Sequence, residues 1–149
     1  MELKQAKPED WPEILDMARA FHAEDGHALS QRGEIALRNA LHASSPFSPY
    51  AQVLTVKAGG TTAGYAVLCF SFSIEFGGMT SYLDDFYVKP EFRGQGIGTK
   101  ALEEFEFMSR ARGCCIFHLE TEAANDKAKA FYIKHGLEDT GRRLLIKKL

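Results

Sequence analysis

Arg93-Gly94-Gln95-Gly96-Ile97-Gly98 places an arginine and three glycines between a β-like run, Phe86-Tyr87-Val88, and a helical pattern that starts at Gly98. A helix start exposes unpaired backbone amides, and glycines let a phosphate approach them closely. The spacing therefore predicts an anion site, to which Arg93 adds a guanidinium fork. Two phosphate motifs fail by one residue each. The dinucleotide fingerprint needs G-x-G-x-x-G where this chain has G-x-G-x-G, and the mononucleotide loop needs Gly before Lys where Thr99 precedes Lys100. A tight turn with a glycine-rich helix cap and no ligand stands as the alternative.

Asp84 and Asp85 are neighbours in the preceding run. Strand alternation predicts that they point to opposite faces, so that only one of them faces a substrate; a solvated strand end is the other reading. Cys114-Cys115-x-x-His118 holds metal-ligating residue types, but adjacent strand residues diverge and a fourth ligand has no candidate. Packing is the preferred reading there, and no metal is expected. A cysteine nucleophile lacks a His-Asp partner. His22, His27, His42 and His135 show no paired spacing and are read as surface or capping residues.

These residues need elements to hold them. Met1–Lys7 alternates weakly, as a short strand would. Trp11, Ile14, Leu15, Met17, Ala18 and Phe21 fall at helical spacing, with Asp10 as N-cap and Pro12 in the first turn. A second helix is predicted over Gln31–Ala43, with Leu37, Ala40 and Leu41 on one side, Ile35 off it and Gly33 weakening its start. A loop over 44–50 leads to strands at 51–57 and 63–74, joined by the hairpin signal Ala58-Gly59-Gly60-Thr61-Thr62. A turn and strand over 77–88 follow. Ala101, Leu102, Phe105 and Met108 then form a helical stripe stopped by Gly113. A strand over 114–121, a short helix over 125–136 and a closing strand over 141–149 complete the chain. This order predicts a mixed α/β sheet with helices on both faces.

The 149 residues fit one domain, 1–149, able to bury a core without staples. A formal charge of -2 leaves no broad basic surface, so nucleic acid is not an expected partner and any phosphate binding must be local. Three cysteines, two of them adjacent, suit neither a disulfide framework nor a two-pair zinc site. With no apolar leader or run of spanning length, the expectation is a soluble, cytoplasmic protein away from membranes.

Two longer patterns tie these features together. Val88-x-Pro90-x-x-Arg93-Gly94-x-Gly96-Ile97-Gly98 resembles the acetyl-CoA signature of the GNAT N-acetyltransferase superfamily. Asn125-x-x-Ala128-x-x-Phe131-Tyr132-x-x-x-Gly136 is similar to its second motif. The resemblance implies the GNAT acyltransferase fold and acetyl-CoA as cosubstrate, with its pyrophosphate cradled by Arg93, Gly94, Gln95, Gly96, Ile97, Gly98 and Thr99. Its pantetheine arm would pair with the backbone over Phe86, Tyr87 and Val88 in a splay between two parallel strands. Asn125, in the motif with Ala128 and Phe131, would bond that arm. Tyr132 would be the general acid for the departing thiolate, since a phenol is protonated at neutral pH.

Tyr82-Leu83-Asp84-Asp85-Phe86-Tyr87-Val88 is similar to the matching strand of diamine acetyltransferases, where the first acid of a Glu-Asp pair is associated with amine deprotonation. The resemblance thus implies Asp84 or Asp85 as the residue that assists deprotonation or orients a cationic amine. Glu24, Asp25 and Glu75 would add negative charge on the acceptor side. The expected activity is direct acetyl transfer to a small primary amine in a ternary complex. A protein or peptide N-acetyltransferase and a non-catalytic CoA-binding regulatory domain are the alternatives. A homodimer is expected, with the apolar segment 141–149 able to pair.

Overall fold

The computed structural model describes residues 1–43 and 50–149. The loop expected over 44–50 lies outside the described residues except for Tyr50. In chain order the elements are β1 (Glu2–Gln5), α1 (Trp11–Glu24), α2 (Gln31–Ala43), β2 (Ala51–Ala58), β3 (Thr61–Ser73), β4 (Gly78–Val88), α3 (Ile97–Ala111), β5 (Ile116–Leu119) and α4 (Asp126–Lys134). The strands form one five-stranded sheet in the order β1-β2-β3-β4-β5, antiparallel except for the parallel pair β4–β5.

Local signals account for the elements. Gly59 and Gly60 adopt φ of 56° and 83°, the left-handed values of a tight hairpin between β2 and β3. Asp10 sits at the N-cap of α1, but its side chain instead accepts a bond from the Lys7 amide at 2.8 Å. Ile14, Met17 and Ala18 of α1 and Leu37 and Leu41 of α2 bury one face of the sheet through Val53, Tyr65, Val67 and Tyr87. Ala101 and Phe105 of α3 cover the other through Leu54, Ala66, Leu68, Phe70 and Leu83. Each such large apolar side chain contributes about 1.5–3 kcal/mol by leaving water. A buried polar stitch adds register: Ser81 Oγ donates to Ser109 Oγ at 2.7 Å, and that hydroxyl donates to Phe105 O at 2.7 Å, fixing α3 against β4.

The closing strand does not form. Residues 138–149 are exposed and carry no regular structure, with Leu144, Leu145 and Ile146 at 65%, 90% and 79% exposure. Its apolar pattern supplies a face to bury, whereas a strand also needs a hydrogen-bonding neighbour, and this segment finds none on its own sheet. Asp139 ties its start to Lys129 of α4, and Arg142 pairs with Glu75 and lies over the Phe76 ring at 5.7 Å. The strand expected over 114–121 is confined to Ile116–Leu119.

Close packing at β3–β4 depends on Gly64, which lies opposite Val88. A Cβ there would stand 2.1 Å from the backbone oxygen of Tyr87, an atom held in the ladder. Gly64→Ala is therefore expected to cost about 3 kcal/mol or more, lowering Tm by roughly 6–12 °C, as differential scanning calorimetry would show.

Candidate active site

The strand β4 is longer than its parallel neighbour. Pairing runs from Thr80 opposite Ile116 to Leu83 opposite Leu119 and stops there, while β4 continues to Val88. The Lys89 amide bonds back to Ala63 O at 2.8 Å, so by antiparallel alternation Phe86 and Val88 turn their backbone groups to the open edge. Beyond Leu83 this edge of β4 therefore has no β5 partner, at the place where the splay was expected.

Just past this edge the chain makes a short 3-10 turn, Pro90–Phe92, and enters the glycine run. Gly94 and Gly96 adopt φ of +75° and +76°, and Gly96 is the N-cap of α3, where no side chain caps the first turn. Nothing lies within 4 Å of a Cβ built at either glycine. Backbone conformation alone requires them, and they lead into a first turn of α3 that no side chain caps, where the sequence predicted an anion site. Gly98 has another role. A Cβ there would meet the Phe131 ring at 3.4 Å, so its bareness lets α4 pack against the start of α3.

That packing is locked by His135, which is half-buried and stands at the C-cap of α4, the capping place the sequence allowed. Its Nδ1 lies 2.7 Å from Phe131 O, and a carbonyl only accepts, so Nδ1 carries the proton. In the neutral ring Nε2 then accepts from the Thr99 hydroxyl, 3.0 Å away. Thr99 thus serves the α3–α4 contact through its side chain. Asn125 caps α4, its Oδ1 accepting from the Ala128 amide at 3.0 Å, which leaves its amide nitrogen for other partners. Tyr132 follows Phe131 on this anchored helix; burial alone pushes its phenol up to about 12. It is held protonated at neutral pH, as a proton donor must be.

Asp84 and Asp85 do not obey simple alternation. Leu83 lies opposite Leu68 and Asp85 opposite Val67, so Asp84 is the extra residue of a β-bulge. The bulge restarts the alternation, and Asp85 joins Tyr65 and Tyr87 on the α1 face, its Oδ2 accepting from the Tyr65 hydroxyl at 2.7 Å. Burial is the main reason that Tyr65, Cys69 and Tyr82 have raised pKa values, and the Asp84 charge adds to each, as it would from the same neighbourhood. The expectation of opposite faces is therefore corrected.

Although Asp84 is exposed at the surface, partial desolvation of its carboxyl on the bulge, and then Asp85 beside it, lifts it above its ordinary value, while His22 pulls the other way. Burial also lifts Asp85, against the Tyr65 hydrogen bond and His22. His22 comes from the end of α1, its ring lies tilted 4.9 Å from that of His27, and its buried Nδ1 has no partner among the described residues.

The remaining predicted residues separate. Glu24 pairs with Arg93, whereas Glu75 pairs with Arg142 at the β3–β4 turn. Among the described residues no group of His, Cys, Asp or Glu is arranged to hold a metal ion. Cys69, Cys114 and Cys115 are free thiols.

Residues 11–137 match the model of the acetyltransferase (GNAT) family. The chain belongs to that family. Thialysine N-epsilon-acetyltransferase of Sus scrofa is 33% identical over 145 residues, covering 92% of this chain and 84% of the relative. Aminoglycoside N(6')-acetyltransferase type 1 of Klebsiella aerogenes is 27% identical over 96 residues, 63% of each chain. A possible acetyltransferase from Clostridium difficile 630 superposes with a TM-score of 0.84 at 15% identity over 99% of this chain and 97% of that one, which shows the shared fold.

Within this GNAT acetyltransferase the sequence reading missed Tyr65, His22 and His135. Tyr65 sits in a continuous β3 apolar run with nothing to mark its hydroxyl. His22 lies near Asp84 and Asp85 only through the crossing of α1 on β4. The spacing Phe131-x-x-x-His135 was a usable signal, since four helical residues place the ring over that carbonyl.

The raised Asp84 pKa has a consequence for stability. A carboxyl that holds its proton more tightly when folded costs stability as pH rises through its folded pKa, and this cost vanishes at pH low enough to protonate both states. Asp84→Asn is expected to melt above the wild type at pH 7, with the gap closing as pH falls toward the ordinary Asp value near 3.8.

Proposed function

We propose that this GNAT enzyme transfers acetyl from acetyl-CoA to a small, cationic primary amine by direct transfer in a ternary complex. One observation carries the reading: a single open β4 edge runs from the uncapped start of α3 to a pair of carboxylates on the bulge. The backbone of Gly94–Thr99 and the edge at Phe86–Val88 fit a phosphate-bearing arm, with Asn125, Ala128 and Phe131 on the opposing helix. Acetyl-CoA supplies a thioester already activated toward amines. Two relatives whose names specify amine acetylation, on thialysine and on aminoglycosides, support the acceptor class.

The chain's own residues then divide the work. Asp84, exposed on the bulge, attracts the ammonium and, with Asp85, draws off its proton so that a neutral amine can attack. Both carboxylates favour a cationic acceptor, and their raised pKa values bring them closer to a base's working range. Tyr132 gives its proton to the departing sulfur. Glu24 and Glu75, expected on the acceptor side, are paired with Arg93 and Arg142 and so add little free charge of their own. We place 1–149 in one domain, and its free thiols suit a reducing, cytoplasmic setting.

We further infer a homodimer. Leu144, Leu145, Ile146 and Leu149 are exposed on the segment that Arg142 ties to Glu75 and Phe76; Phe72 and Ile74, just before that contact, are exposed too, and among the described residues β5 is an edge strand. A second copy would cover this apolar surface.

Incubating acetyl-CoA with polyamines, thialysine, aminoglycosides and short peptides, and following free CoA with a thiol reagent, tests the activity. Release is expected with one of the small amines; release with peptides alone would move the acceptor to protein substrates, and silence with all would leave a CoA-binding domain. Tyr132→Phe should lower kcat by ~10²–10⁴-fold while acetyl-CoA affinity stays within about twofold. Light scattering is expected to give a dimer for the intact chain and a monomer once 141–149 is removed. A monomer for both would refute the pairing.

A further inference from the structure

Arg93 opens the glycine run, yet its guanidinium is already engaged elsewhere. Nε donates to Val88 O at 2.7 Å. Nη2 donates to both oxygens of Glu24, at 2.8 and 3.0 Å. The guanidinium carbon also lies 5.2 Å from the centre of the Tyr87 ring, which is 6% exposed and forms part of the α1-side core. Four contacts to three residues on two elements fix both the position and the plane of this side chain.

Glu24 is the last residue of α1, and the same helix end carries His22 and Asp25, which act on the carboxyls of Asp84 and Asp85. The helix end therefore walls the acceptor side. A negative residue at a helix C-terminus is disfavoured by the dipole, so Glu24 needs a compensating cation there. At the other end of α1, Glu13 pairs with Lys89 at 2.7 Å, so the two ion pairs clamp the helix against the end of β4.

The geometry points to Arg93 as a positioning residue that fastens the acceptor wall at the end of α1 to the cofactor loop, in place of a phosphate ligand. This rests on the activity proposed above. The loop and the wall are then one mechanical unit: whatever settles the backbone of Arg93–Gly98 also settles His22–Asp25 over the two aspartates. Glu24, neutralised in this clasp, acts on the amine through the position of its helix and contributes little charge of its own.

Arg93→Gln, Glu24→Gln and the double variant test the assignment by two readouts that need no acceptor. Hydrogen exchange at the amides of residues 22–26 is expected to quicken ~3–10-fold in each single variant and no further in the double, the non-additivity of a shared contact. Calorimetric acetyl-CoA affinity should stay within about threefold of wild type in all three, whereas losing a phosphate contact would cost ~10-fold or more. The clasp is overturned if Arg93→Gln weakens acetyl-CoA more than tenfold while Glu24→Gln does not, or if exchange at 22–26 is unchanged in both. Because neither readout depends on turnover, an absence of amine acetylation would count against the proposed activity and leave this result standing.

Discussion

The site depends on a mismatch of strand lengths. The strands β4 and β5 share only the stretch from Thr80 to Leu83, after which β4 runs on alone to Val88. An unpaired stretch of sheet edge is ordinarily a liability, because its amides and carbonyls still require partners. Here it ends at the glycine turn that leads into α3. One mismatch of strand length thus leaves backbone groups of β4 open beside the start of α3, where the proposed cofactor arm would lie.

The bulge at Asp84 is a second departure from regularity at the same place. A regular strand would have sent one carboxylate to the α3 side, into apolar surroundings with Leu83 and Phe86. The extra residue instead keeps both acids with Tyr65 and His22 on the α1 side. The cost is charge repulsion and desolvation, visible in the upward pKa shifts of both aspartates. The hydroxyl of the fully buried Tyr65 offsets part of it. Stability is thus given up locally where the acceptor amine would need a base.

Rigid fastenings surround these two irregularities. His135 joins the first turn of α3 to α4 and so fixes the backbone that carries Tyr132. Arg93 and Lys89 join the end of β4 and the turn beyond it to the two ends of α1. The sheet core is apolar and supplies most of the folding energy. The polar ties, mostly half-exposed, contribute less energy but decide which helix end faces which strand.

The sequence determined the order and type of most elements, because burial stripes, hairpin glycines and caps are local: Gly59-Gly60, the α3 stripe and the stop at Gly113 were all legible. It also determined the family, since both motifs are contiguous and are tied to backbone needs, a positive φ at Gly94 and Gly96 and a cap at Asn125. Only the tertiary structure decided the side-chain partners, because these join residues far apart in the chain, as Arg93 with Glu24 and Tyr65 with Asp85. It decided the faces of Asp84 and Asp85 through a bulge that alternation does not encode. It also left 141–149 without a strand partner, because apolar pattern specifies a wish to be buried and only a neighbouring edge can satisfy the backbone.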